Sequence, residues 1–275
     1  MSTAIPYQPV EEKAGEAFDK QSIVFDELFS ANQIVQYKRE RVRSHIISII
    51  NPSSSILELN AGTGDDAIYF ASLGHSIHTT DLSVGMQKIR CQKIQASGFE
   101  DKISDECCSF TQLENLKQQG PYDHIFSNFG GLNCTNDLAK VLDSFEGLLK
   151  RKGTITLVIM PKFSIWEFGL LFKGKWKTAF RRFSGKKGTP AHIEGVHFTC
   201  WYYNPSFVLR HLRKNYELLE LETLCHFVPP SFMENFPVKY SQIYSKLKSI
   251  ERRWGKSWPW NRMGDYFIIS LRKRD

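Results

Sequence analysis

The stretch Ile56–Leu57–Glu58–Leu59–Asn60–Ala61–Gly62–Thr63–Gly64–Asp65–Asp66–Ala67 decides how the rest of the chain is read. Three of its first four residues are apolar, as in a short buried strand. Gly62 and Gly64 then make a tight turn, and the residues from Asp65 onward open a helix. In a parallel α/β sheet, this first strand-to-helix turn is where a nucleotide-like ligand sits.

Outward from that turn the pattern alternates. Strands are expected at 56–59, 76–80, 103–107, 122–127 and 154–160, and helices at 65–73, 83–96 and 137–149. Ser83 reads as an N-cap and Gly98 as a helix stop. The basic run Lys150–Arg151–Lys152–Gly153 reads as the turn before the fifth strand. Upstream, residues 1–10 read as a loose arm, and 12–50 as two or three helices broken near Ser30–Ala31–Asn32. After Pro161 the rhythm stops, and 162–203 is aromatic and basic without a strict period. It returns with a helix at 205–214, a strand at 216–224, a helix at 239–254 and a last alternating strand at 266–271. Strands that alternate with helices make a parallel sheet covered on both faces.

The chain has 275 residues, 41% hydrophobic and 24% charged, enough for a sizeable core without staples. A net charge of +7 is too mild for a dedicated nucleic-acid binder. The six cysteines show no CxxC pairing, so reduced thiols in a cytoplasmic protein are expected. No signal peptide is visible, and no apolar run reaches the ~18 residues of a transmembrane helix. The eight histidines and the cysteines have no zinc-like spacing, so no metal is expected, and a Gly-x-Ser-x-Gly elbow is absent.

The glycine turn alone leaves the cofactor open. Gly62–Thr63–Gly64–Asp65–Asp66–Ala67 also fits a dinucleotide fingerprint, with Asp81 about 20 residues on as the ribose acid. That keeps an NAD(P)-dependent oxidoreductase as an alternative. Charge argues against it: a pyrophosphate would dock on a helix that begins Asp65–Asp66, beside Glu58. The same acids suit a cofactor with a positive head and no phosphate, such as S-adenosylmethionine.

Four segments in order resemble a class I S-adenosylmethionine-dependent methyltransferase of the small-molecule and quinone type. They are the turn 58–64, the segment Asp81–Leu82–Ser83–Val84–Gly85–Met86, the strand end Tyr122–Asp123–His124–Ile125–Phe126–Ser127–Asn128–Phe129, and the approach Leu148–Leu149–Lys150–Arg151–Lys152–Gly153–Thr154. The resemblance covers about 55–160. It implies cofactor contacts from Glu58, Asn60, Ala61, Gly62 and Gly64, from Asp81 on the ribose, and from Leu82 and Met86 beside the adenine. It further implies Ser109 and Phe110 at the adenine ring, Ser127 and Asn128 at the methionine end, and Arg41 toward the cofactor carboxylate. Asn60 departs from the pattern, standing where the family has its first glycine; Asn tolerates left-handed backbone better than most residues.

The expected fold is a doubly wound, Rossmann-like, seven-stranded, mostly parallel sheet with N-terminal helices and an inserted substrate cap. Its parts are a helical lid at 1–54, the S-adenosylmethionine-binding core at 55–160, a basic aromatic cap at 161–203, and closing helices and strands at 204–275. Methyl transfer to a small aromatic or lipophilic acceptor is the expected reaction, by in-line displacement that depends mainly on alignment. His192 and His197, in the cap, are candidate general bases. The aromatic-plus-basic run at 162–183 suits a peripheral membrane contact or a cover over a lipophilic ligand. A non-catalytic RNA- or membrane-binding module is the third reading, with nucleic acid the weaker of those partners.

Overall fold

The computed structural model describes residues 10–275, so the loose arm expected at 1–10 lies almost entirely outside the described residues. A seven-stranded sheet is built from β1 (Ser55–Leu59), β2 (Ser76–Asp81), β3 (Ile103–Cys107), β4 (Tyr122–Ser127), β5 (Leu149–Ile159), β8 (Tyr216–Leu224) and β9 (Tyr266–Lys273). Between the last two numbered groups, β6 (Thr189–Ile193) and β7 (Val196–Cys200) form a separate hairpin. The sheet order is β3-β2-β1-β4-β5-β9-β8. The first five strands run parallel, and β9 is antiparallel to both β5 and β8. The expected seven-stranded, mostly parallel sheet is therefore present, with β9 its antiparallel member.

Strand alternation splits the core between the two faces of the sheet. Leu57, Leu59, Ile125, Ile155, Leu157 and Ile269 enter one cluster. Ile56, Ile77, Phe126, Val158 and Ile268 enter the other. Each is almost wholly buried, and full burial of one such side chain contributes about 1.5–3 kcal/mol.

Helix α1 (Val10–Ser30) and α2 (Gln33–Ile47) meet where the sequence predicts a break. Asn32 is the physical cause, since its side chain accepts the N–H groups of Ile34 and Val35 at 3.0 and 3.2 Å. After β1 comes α3 (Asp65–Ser72), and after β2 comes α4 (Val84–Ser97). Ser83 caps α4 by accepting the Met86 N–H, and Gly98 ends it in a left-handed conformation.

Two expectations are corrected. The basic run 150–153 is not a free turn but belongs to β5, which starts at Leu149; the bend is absorbed at Lys152, whose φ is +60°, opposite a register shift in β4. The cap, read as unpatterned, contains α6 (Ile165–Phe168), α7 (Trp176–Phe180) and the β6–β7 hairpin. Gly195, with φ of +79°, supplies part of the hairpin turn, a signal that the surrounding aromatic and basic residues obscured. The remaining helices are α5 (Leu138–Leu148), α8 (Pro205–Leu212), α9 (Phe236–Lys239) and α10 (Ser241–Trp254).

Candidate cofactor and acceptor site

The glycine turn adopts the backbone that its composition implies. Asn60, Gly62 and Gly64 have φ of +56°, +54° and +85°. A Cβ on Gly62 would meet nothing within 4 Å, whereas one on Gly64 would lie 2.7 Å from Cγ of Arg90. Gly64 is thus needed for both conformation and space. Asn60 holds its left-handed position by donating to Ser127 Oγ at 3.0 Å, which ties the end of β1 to the end of β4. Its side chain fills the space against Gly131, where no Cβ fits.

Asp81 at the end of β2 accepts the backbone N–H groups of Gly62 and Ser83, each at 2.9 Å. Two of a carboxylate's four lone-pair positions are thereby occupied, which leaves acceptors for hydroxyl groups. Burial raises its proton affinity, against the pull of Arg90 and those backbone donors. Ala61 donates to the Thr80 carbonyl at 3.0 Å and is buried, so it spaces the turn from β2.

Glu58 is 2% exposed, and its Oε2 has no hydrogen-bond partner among the described residues. Burial pushes its carboxyl well above the usual range; Asp66 adds to the rise, and Arg90, Arg43 and Arg39 oppose it. A buried carboxyl lacking a partner at the foot of a ligand turn matches a ligand cation.

Asp65 and Asp66 are not the free negative field that their sequence position suggests. Asp65 pairs with Arg39 and Lys93, and Asp66 with Arg43 at 2.7 Å. The charge argument against a pyrophosphate is therefore spent in internal ion pairs. Below the turn, Arg90 is fully buried, paired with Asp105 and donating to the Gly62 carbonyl. Arg39, Arg43, Lys93 and Arg90 were missed in the sequence because basic residues on helices have no pattern that separates structural from solvated ones.

Ser127 is buried as the acceptor for Asn60. Asn128 donates to Asp66 at 2.8 Å and accepts the N–H of Phe129, so its side chain serves the loop and α3. Arg41 does not reach the turn. It pairs with Glu222 of β8, which also accepts from His45 at 2.7 Å. His45, Glu220 and Glu222 form the kind of cluster that could hold a metal ion, yet Arg41 and Lys256 already supply its positive charge.

Helix α1 lies across the ends of β2 and β3, beside Leu82 and Ser109. Leu82 packs against Gly15, whose Cβ position is 3.3 Å from its side chain. Glu11 is buried against Ser109, at 3.5 Å, and Thr111. Met86 and Phe110 are both buried in place, Phe110 within the cluster that includes Ala14 and Ala17 of α1. Asp19 fastens the helix by accepting from Ser83 Oγ at 2.9 Å and from the Gly85 N–H.

Past β4 and at the start of β9, the surroundings turn aromatic. Phe129 and Tyr266 meet edge to face at 6.2 Å, with Lys38 Nζ 4.8 Å over the Tyr266 ring and 5.3 Å over that of Phe129. Lys38 is 4% exposed and donates to Ser231 Oγ at 3.3 Å. The β6–β7 hairpin is joined to this region by Asn133, which bonds the main chain of Met160 and Trp201. His192 and His197 face away from it. They are direct cross-strand partners with rings 4.5 Å apart on the exposed face, while Val196 and Phe198 are buried. Strand alternation places both on the exposed face of the hairpin, so the structure does not bring these candidate bases into the interior with Val196 and Phe198.

A family model described as a methyltransferase domain matches residues 56–153. A curated relative, the tuberculostearic acid methyltransferase UfaA1 of Mycobacterium tuberculosis (strain ATCC 25618 / H37Rv), is 28% identical over 78 residues. That match covers 28% of this chain and spans only 17% of the length of the relative. Among solved structures, the [4+2]-cyclase SpnF is similar with a TM-score of 0.64 at 15% identity, covering 98% of both chains. The 1,6-didemethyltoxoflavin-N1-methyltransferase of Burkholderia thailandensis, crystallised with S-adenosylhomocysteine, gives 0.57 at 13% identity, covering 99% of this chain and 94% of that one. Geranyl diphosphate C-methyltransferase from Streptomyces coelicolor A3(2) gives 0.53 at 12%, covering 86% and 79%. At these identities the structural likeness speaks for fold, and the family model speaks for the segment that carries the glycine turn. Residues 56–153 thus match a methyltransferase-domain family, and the chain around them has the fold of solved S-adenosylmethionine-dependent methyltransferases.

Proposed function

We propose that the chain transfers the methyl group of S-adenosylmethionine to a small lipophilic or aromatic acceptor. The observation that carries this reading is the orphaned Oε2 of Glu58 at the foot of the glycine turn. It matches the α-ammonium of this cofactor and has no counterpart in a pyrophosphate. When bound, S-adenosylmethionine supplies a methyl group already activated by its sulfonium. The chain supplies alignment and exclusion of water. Asp81 offers its free lone pairs to ribose hydroxyls, and α1 shields the side of Leu82 and Ser109.

Aromatic rings from Phe129 and Tyr266 support an apolar or aromatic acceptor. The six unpaired cysteines support a cytoplasmic setting, with contact to membrane through 162–183. No helix among the described residues is long and apolar enough to cross a membrane.

The nicotinamide alternative loses its charge-based objection but meets a topological one. Dinucleotide folds use the order 3-2-1-4-5-6 in parallel, whereas here the antiparallel β9 sits between β5 and β8. Similarity to a cyclase is a reminder that this scaffold hosts other reactions. The test therefore has two parts. Calorimetry with S-adenosylhomocysteine should show binding, and labelled methyl donor should yield a labelled product with lipophilic acceptors. No heat up to about 1 mM ligand, or tight binding of NADH instead, sinks the reading.

A further inference from the structure

The first part of the cap, residues 168–183, holds five aromatic side chains outward, and something fixes them there. Phe172 is 94% exposed and Trp176 is 64% exposed; Phe168, Phe180 and Phe183 are exposed beside them. The rings of Phe168, Phe180 and Phe183 form a connected row, with Phe168–Phe180 at 6.0 Å and Phe180–Phe183 at 6.1 Å. Single exposed apolar residues need no explanation, but a contiguous aromatic patch does.

Beneath the patch lies a charged clamp. Glu167, 3% exposed, accepts from Arg181 at 2.6 and 2.8 Å and from Arg182 at 2.6 and 2.9 Å. Arg182, 2% exposed, also bonds the side chain and carbonyl of Asp265. Trp166, by contrast, turns inward and donates to the His226 carbonyl at 2.8 Å. With Arg181 and Arg182 committed to the clamp, the segment cannot roll its remaining aromatics inward without breaking a buried ion-pair network.

Charge decides what the patch fits. Lys173, Lys175, Lys177, Lys186 and Lys187 are all exposed, and none has a carboxylate within 4 Å among the described residues. From residue 168 to 193 the sequence contains no acid at all. Aromatic side chains ringed by unpaired lysines match an interface that is apolar within and anionic at its rim. A protein partner would have to bring a dense acidic collar around a hydrophobic socket, whereas an anionic bilayer presents both by its construction.

We propose that the cap segment 165–187 docks this chain onto anionic lipid membranes, with Phe172 and Trp176 entering the acyl boundary and the five lysines facing headgroup phosphates. This deepens the lipophilic-acceptor reading and rests on it for purpose, but the docking itself needs no cofactor. The surface places the cap, which sits over the acceptor side, against the phase in which a lipophilic acceptor would dissolve.

The test is co-sedimentation of the full chain with phosphatidylcholine vesicles, with and without phosphatidylglycerol. The expected result is association only with the anionic vesicles, weakened by added salt. Phe172→Ser with Trp176→Ser should reduce partitioning at least about tenfold. Lys173→Glu with Lys175→Glu and Lys177→Glu should abolish it. All five positions are exposed, and circular dichroism with S-adenosylhomocysteine calorimetry on the same samples verifies that fold and cofactor site survive. Equal sedimentation of the wild type and the aromatic variant overturns the proposal. So does no association with anionic vesicles, or retention by a single-stranded oligonucleotide instead. Loss of cofactor binding with vesicle binding intact would count against the methyltransferase reading alone.

Discussion

The Asp81 carboxylate accepts the Gly62 backbone N–H at 2.9 Å, so the acid at the end of β2 holds the glycine turn that follows β1. The same carboxylate accepts the Ser83 N–H and thereby sets the start of α4. One side chain thus joins the two segments that the sequence marks separately. Asp81→Ala should lower S-adenosylhomocysteine affinity by about tenfold to a hundredfold, since hydrogen bonds to a charged group contribute about 1.5–3 kcal/mol. Asp81→Asn, which keeps one acceptor, should fall between. Calorimetry reads this directly, and unchanged affinity in the alanine variant would remove Asp81 from the site.

Glu58→Gln separates ligand binding from stability. The folded carboxyl is raised above its unfolded value by burial and by Asp66. The native state therefore holds a proton that the unfolded state has released, and stability falls as pH rises above about 4.3. Replacing the acid with a neutral amide should leave the cofactor-free chain at least as stable at neutral pH by urea denaturation. Cofactor affinity should drop about tenfold or more through loss of the ammonium partner. A variant that is less stable at pH 7 and binds normally would show Glu58 to be purely structural.

Gly85 is the contact on which α1 rests. A Cβ there would lie 2.9 Å from the Asp19 carbonyl and nearer still to Ser22. Gly85→Leu should lift α1 while leaving the sheet intact, at a cost of about 1–3 kcal/mol. Hydrogen exchange should then show lost protection across Val10–Ser30 with β1 and β4 unaffected. Unaltered protection of α1 would disprove the packing account.

His124 predicts an acid limit. It is fully buried in β4, bonded to Thr154 Oγ1 at 2.7 Å, and its Nε2 has no partner among the described residues. Burial, with His45 and His75 nearby, pushes its pKa down to about 3. Between that value and the unfolded value near 6.5 the unfolded chain binds the extra proton, so stability falls as pH drops. The loss from this group should be about 2 kcal/mol between pH 6.5 and pH 5. His75, His78 and His226, also lowered by burial, add to it in the same direction. Denaturation curves at the two pH values should be visibly closer together in His124→Leu than in wild type.

Reading the chain in order located the strands, the helix breaks and the glycine turn because each is local. Asn32 and Ser83 cap with their own side chains, and left-handed φ at Asn60, Gly62 and Gly64 follows from residue type. The β6–β7 hairpin escaped notice because aromatic and basic residues mask its alternation, and with it went the orientation of His192 and His197.

By itself the sequence determined the order and type of elements, the place of the cofactor turn and the resemblance to a methyltransferase. These rest on short-range periods and backbone preferences that any window of a few residues displays. Only the tertiary structure decided which charge meets which. On α2, Lys38, Arg39, Arg41 and Arg43 sit within six positions, yet they face Tyr266, Asp65, Glu222 and Asp66 in turn. Each residue step turns a helix by about 100°, so neighbours in sequence point to different faces. Which face meets the glycine turn is set by how α2 docks on the sheet. That docking left Glu58 beneath the turn with one oxygen unpartnered among the described residues, the observation on which the functional reading stands.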